Sequence, residues 1–220
     1  MQTNMVVTIQ DKNQLIKYIQ AEVLRQMKER LVVNSDNVLK VLEVEFEKIR
    51  TSPEAVALIS GILRYDLGIY SREAETVLDQ IIEIIRRDAA YSFAMPLITT
   101  PSSIQINITL LKSDYAEMLA IPEAHYEQNF YVKDAPGRPF TIPWLDWLLM
   151  RGYDIVVQSY HVSYNINKNT VSRTGGAIMN KNGQFIIPRE FAGTATDNFI
   201  TRSLVNLDQI LFKEFESILS

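Results

Sequence analysis

The apolar residues change their period at Met95-Pro96, and that change restricts the chain to folds that join helices to strands. Before it, they recur every three or four residues, the spacing of one helix face; after it they alternate, the spacing of one strand face. Asp11 to Val32 predicts a first helix. Asp11 and Gln14 have capping-box spacing, and Leu15, Ile19, Val23, Met27 and Leu31 form a stripe widened by Ile16 and Leu24. Ser35 to Arg50 predicts a second, with Val38, Leu42, Phe46 and Ile49 inward and Glu43, Glu45, Glu47 and Lys48 outward. Ser52-Pro53-Glu54 opens a third, with a hydroxyl N-cap, proline at the first helical position and a carboxylate at the positive end of the dipole. It carries Val56, Ile59, Leu63 and Leu67 and stops at Gly68. Ser71 caps a fourth, whose apolar face is Val77, Leu78, Ile81, Ile82 and Ile85. Short links favour antiparallel packing. The stripes are expected to share a core, the alternative being a face for a partner or an oligomer.

Beyond Pro96, Ile104, Ile106, Ile108 and Leu110 alternate with Gln105, Asn107 and Thr109, the pattern of a strand with one polar face. Ser113 to Leu119 reads as a short helix, Glu127 to Val132 as a strand, and Asp134-Ala135-Pro136-Gly137 as a turn. Pro139 to Arg202 is the most particular stretch, holding both Trp and five of the eight Gly. Ile142-Pro143 forces an extended entry to a two-turn helix bearing Trp144, Leu145, Trp147, Leu148 and Leu149, with Asp146 near its start and Arg151-Gly152 at its end. A helix this short needs both Trp packed into something. Asp154 to Tyr164 predicts a strand, and Arg173 to Met179 and Gln184 to Ile187 two more, joined by the turn Asn180-Lys181-Asn182-Gly183 and closed by Pro188. Phe191 to Thr194 and Asn198 to Thr201 read as ordered loop, with aromatic plugs and short polar side chains bonding the backbone. Leu204 to Leu219 predicts a final amphipathic helix. The expectation is an α+β fold: antiparallel helices over 1–95, then over 96–220 a mostly antiparallel sheet with a short Trp-bearing helix and a C-terminal helix. The two parts are separate domains or one continuous unit.

Chemical motifs are sparse. Net charge is −4 and evenly divided, so no half carries the basic footprint of a nucleic-acid binder. The absence of cysteine excludes disulfides and thiolate chemistry. The N-terminus lacks a signal-peptide pattern and no run approaches a membrane span, so the expectation is a soluble chain without a secretion signal. His125 and His161 have no second His at helical spacing, and no metal or cofactor is expected. A hydrolase site can be written from Ser172, His161 and Asp154, but no serine sits in a G-x-S-x-G elbow. Gly175-Gly176 fits a bulge or close backbone approach better than a phosphate loop. Asp146 and Asp154 read equally as a carboxylate pair or as cap and turn residues. Arg173, Lys181, Arg189 and Arg202 with Phe199 offer phosphate and stacking contacts, a minor option at this charge balance. Arg202 fits a brace, its guanidinium tying loop carbonyls or a carboxylate such as Glu190 or Asp197.

IPWLDWLLMRG, a strand, SRTGGAIM and then IPREFAGTATDNFITR form a pattern that resembles structural proteins of tailed-bacteriophage virions, those of the neck and tail-completion region. SPEAVALISGILRYDLGI is similar to the front half of the same group, so the resemblance runs from about the third helix onward. Its motifs are structural, and no catalytic or cofactor-binding residue is carried over. The resemblance implies a non-enzymatic virion protein, synthesised in the host cytoplasm, that forms a homo-oligomeric ring around the DNA channel where head joins tail. Its partners would be itself and other neck, portal or tail proteins, with channel DNA nearby and no membrane. Trp144, Trp147, Arg173, Phe191, Phe199 and Arg202 are the structural or interface candidates, and 133–139, 165–173 and 192–202 the candidate contact loops. The other readings are the hydrolase near His161 and a helical adaptor module.

Overall fold

A computed structural model describes residues 12–94, 98–100, 103–111, 115–125, 144–152, 154–164 and 176–220. The architecture is α+β. Helices α1 (Lys12–Val33), α2 (Ser35–Phe46), α3 (Pro53–Ile59), α4 (Ile62–Leu67) and α5 (Ser71–Ala94) precede a short ribbon of β1 (Ile98–Thr99) and β2 (Ile104–Gln105). Then come α6 (Ala116–Leu119), α7 (Leu145–Leu149), a longer ribbon of β3 (Ile155–Ser163) and β4 (Ile178–Ile186), and finally α8 (Phe199–Ser203) and α9 (Leu207–Leu219). Among the described residues the strands form two separate antiparallel ribbons. Asp11, Ile142-Pro143, the strand at Glu127–Val132 and the turn at Asp134–Gly137 fall outside the described residues.

The stripes of α2 and α5 meet as their spacing requires. Val38, Leu42, Phe46 and Ile49 are buried, as are Val77, Leu78, Ile81, Ile82 and Ile85. The last turn before Ser52 tightens into a 3₁₀ helix over Glu47–Thr51, and Glu45 is buried beside Lys48 instead of facing water. The single helix expected from Pro53 to Leu67 is broken in two. Gly61 is extended, and a Cβ there would lie 2.7 Å from the Ala57 Cα, so the chain doubles tightly against α3 before α4 begins. The break resets the helical phase, which leaves Val56 exposed while Ala55, Leu58, Leu63 and Leu67 face the core. The caps hold: Ser52 Oγ accepts from Ala55 N at 3.2 Å, and Gly68 ends α4 at φ 65° with Ile69 N bonded back to Arg64 O.

From Ser103 to Leu111 burial alternates as expected, with Ile104, Ile106, Ile108 and Leu110 half-buried and Gln105, Asn107 and Thr109 exposed. Among the described residues ladder pairing covers Ile104 and Gln105 alone, because alternation reports a buried face and not a neighbouring strand. Asn180 to Gly183 is not a hairpin turn. β4 runs through it against β3, and between Gln184 and Lys181 it advances three residues while β3 advances two. Asn182 takes φ 72° in the resulting bulge, and a Cβ on Gly183 would press the His161 side chain at 2.8 Å. Residues 165–175, between β3 and β4, are outside the described residues; of the strand expected over Arg173–Met179, Ile178 and Met179 lie in β4, which also takes in the strand expected from Gln184. Buried residues from Val38 to Leu211 form one hydrophobic cluster to which both halves of the sequence contribute. Among the described residues, no helix is long and apolar enough to cross a membrane.

Candidate functional site

The C-terminal half is fastened to the helices by a polar junction around Arg202 and Asn198. Asn198 caps α8: its Oδ1 accepts from Ile200 N (3.1 Å) and Thr201 N (3.2 Å), while Thr201 Oγ1 accepts from Asn198 N, a complete capping box where the sequence suggested loop. Fully buried, Asn198 also donates from Nδ2 to Tyr115 Oη (2.8 Å) and Thr194 O (2.9 Å), so its desolvated amide is satisfied. One turn on, Arg202 donates from Nε to Asp197 Oδ1 (2.7 Å), from Nη1 to Glu54 Oε1 (2.7 Å) and from Nη2 to Ala192 O (3.0 Å). It is a brace, acting on Asp197 and Glu54 and not on Glu190. Glu54 is buried, at 3% exposure, and lies 148 residues away in the chain, so the brace joins α3 to the end of the fold. The guanidinium holds the Asp197 carboxyl below the usual carboxylate range, and the Arg202 group is itself raised by the same bond.

The remaining sequence candidates divide by burial. Trp144, Trp147 and Phe199 are core residues. Trp144 Nε1 donates to Glu123 O at 2.8 Å, and the Arg151 guanidinium lies 6.0 Å from the Trp147 ring centre. Phe191 is half-buried, and Arg173 and Ser172 fall outside the described residues. So do the loops 133–139 and 165–173; of 192–202, only 194–197 and Arg202 and its neighbours reach the surface. His161 is exposed and donates from Nδ1 to Asn182 O at 3.1 Å. An extended strand rises about 3.3 Å per residue, which sets Asp154 roughly 20 Å from His161. The structure does not bring that pair together. His125 Nδ1 donates to Ile121 O at 2.9 Å, and among the described residues no group of three His, Asp or Glu could hold a metal.

One carboxyl stands apart and was not singled out in the sequence. Asp66, at the end of α4, is 8% exposed and accepts a hydrogen bond from Tyr164 Oη at the far end of β3. Beside it, Gly176 lies so close over the Tyr65 ring that a Cβ would sit 1.8 Å from Cδ1. These two contacts dock the longer ribbon on α4. Burial pushes the Asp66 carboxyl up to about 6 from 3.8. The folded chain therefore holds this proton between those values while the unfolded chain releases it. Stability from this group is full below about pH 4 and is lost as pH rises through about 6. Lowering the pH from 7.5 to 5 is expected to add on the order of 1 kcal/mol through Asp66. Urea unfolding of Asp66→Asn across that range checks it: the variant should lack this rise and be the more stable protein at pH 7.5.

The surface feature that calls for a function is α1. Residues 13–23 are exposed on every side of the helix, including Leu15, Ile16, Tyr18, Ile19 and Val23. Towards its C-terminal end Leu31 is buried and Arg30 Nη1 donates to Leu219 O at 3.2 Å. Ile19, Val23, Leu24, Met27 and Leu31 of α1 line an apolar groove of about 710 Å³ together with Ile104, Ile106 and, from α9, Phe215 and Leu219. The stripe read as core is thus largely uncovered. Exposed apolar surface on this scale marks an interaction site. The chain matches no protein-family model, no curated protein and no solved structure.

Proposed function

We propose that the chain is a non-enzymatic structural subunit of a tailed-phage virion, closing into a homo-oligomeric ring in the connector, neck or tail-completion region where head joins tail. The observation that carries the reading is the apolar surface left uncovered along α1 and continuous with the groove that Ile19 and Val23 line together with Ile104, Ile106, Phe215 and Leu219. Subunits of a ring with cyclic symmetry meet through heterologous contacts, and exposed apolar surface of this extent is suited to one side of such a contact. The resemblance of motifs between Ile142 and Arg202 and of Ser52 to Ile69 to neck and tail-completion proteins supplies the particle. Portal, neck or tail proteins would lie above and below the ring.

Negative-stain imaging of the purified protein, alone and mixed with particle proteins, tests this. Closed annular particles with a central hole are expected. Featureless single subunits in every mixture would overturn it, and a stable one-to-one complex formed by residues 1–95 alone would shift the reading to an adaptor.

A further inference from the structure

We infer that Asn182 is a site of spontaneous deamidation, at which the Gly183 nitrogen closes on the Asn182 side chain and the His161 imidazole assists the closure. Asn182-Gly183 is the one Asn-Gly step in the chain. Glycine leaves the attacking nitrogen unshielded, because no Cβ stands beside it. Asn37, Asn107 and Asn206 are exposed too, but each is followed by Val, Ile or Leu. Asn198 precedes Phe199 and is fully buried, with its amide held on both sides. The Asn182 side chain is exposed, and its amide makes no hydrogen bond among the described residues. Backbone geometry frees this step as well. Asn182 takes φ 72° in the bulge where β4 advances three residues against two of β3, and at a bulge the ladder is locally broken. His161 Nδ1 donates to Asn182 O at 3.1 Å, the carbonyl oxygen of the same peptide whose nitrogen attacks. When the Gly183 N–H loses its proton, negative charge spreads onto that oxygen, and a hydrogen bond to the charged form favours it.

The step balances without an oxidant or cofactor. The Gly183 N–Cγ bond forms, the Cγ–Nδ2 bond breaks, and Nδ2 leaves as ammonia with the proton that Gly183 gave up. Water then opens the cyclic imide at either carbonyl. One opening leaves aspartate; the other leaves isoaspartate, with the main chain rerouted through Cγ and longer by a methylene. The bulge already holds a residue that β3 does not oppose, so the added length is taken up without a shift of register. Either product sets a carboxylate next to Lys181 and close to His161 where a neutral amide stood.

Full-length wild type and His161→Phe, each folded and in urea, are incubated at mildly alkaline pH. Conversion is mapped by mass after pepsin digestion in acid, where the imide chemistry is slow, and isoaspartate is labelled with an isoaspartyl methyltransferase. His161 is exposed on a strand, where an aromatic residue is accepted, so the variant keeps the fold. The expected result is conversion at Asn182 in the folded wild type, and about three- to tenfold slower conversion in folded His161→Phe, the size of effect one hydrogen bond carries. In urea the two chains should react alike, which separates assistance by the imidazole from any effect of sequence. A folded wild type that stays unreacted at Asn182 while the urea-unfolded chain converts would overturn the site. Conversion at Asn37, Asn107 or Asn206 in its place would do the same. Equal rates in folded wild type and folded His161→Phe would overturn the role given to His161.

Discussion

Arg202→Met is expected to lower the unfolding free energy by about 2–3 kcal/mol, less than for a fully buried ion pair because the Arg202 side chain is 36% exposed while Glu54 is buried. The substitution keeps most of the side-chain volume, so the loss comes from what Arg202 bonds. Glu54 is buried with the guanidinium as its ion-pair partner, and Ala192 O and Asp197 lose their donor as well. A carboxylate left in that position must either stay desolvated and unpaired or take up a proton. Arg202→Lys should fall between, since an ammonium supplies charge without the planar fork that reaches three acceptors at once. Adding Glu54→Gln to Arg202→Met should recover a large part of the loss by removing the stranded charge. Urea unfolding of the single and double variants measures all of this. A loss under about 1 kcal/mol would mean that the pair behaves as a solvated surface bridge.

Gly193→Ala should be at least as damaging, with an expected cost of about 3 kcal/mol or more by overpacking. A Cβ at this position would lie 1.8 Å from the Leu148 carbonyl oxygen and 2.7 Å from the Asn198 Cβ. The first is backbone of α7, which cannot swing aside as a side-chain tip can. Gly193 also accepts from Gly152 N at 2.6 Å, so displacing it disturbs the left-handed stop of α7, where Gly152 has φ 57°. The expected result is a protein with a strongly lowered melting temperature or one recovered mainly as aggregate. Gly68→Ala is the contrasting case: no atom lies within 4 Å of its added Cβ, so only the φ of 65° resists it. Its cost should be about 1 kcal/mol, typical of forcing a side chain into the left-handed region. Comparable melting temperatures for the two variants would contradict this account of Gly193.

What the sequence revealed and what it hid follow one physical line. Local requirements were legible: the Ser52 cap, the stops at Gly68 and Gly152, the apolar faces of α2 and α5, and Arg202 reaching Asp197 five residues away. Requirements set by distant chain were not. The stripe on α1 has the same period as that on α2, yet one is buried and the other bare, because periodicity says which face is apolar and not what covers it. Asn182-Gly183 demands positive φ, which a hairpin turn and a bulge satisfy equally; the partner strand decides, and β3 runs straight past. Glu54 looked like a dipole-matched first-turn residue, and nothing nearby in sequence announced that Arg202 would pair with it. The Asp66–Tyr164 contact spans 98 residues and was hidden for the same reason. The candidate interface followed only once the structure showed which apolar face the fold leaves uncovered.

The central claim is closed self-assembly, and the most direct measurement is the native mass of the purified chain across a wide concentration range, alone and with particle proteins. The account predicts one assembled species whose mass is a whole multiple of the 25.2 kDa subunit and stops growing as concentration rises. A mass of 25.2 kDa under every condition, or a ladder that lengthens without limit, would contradict it.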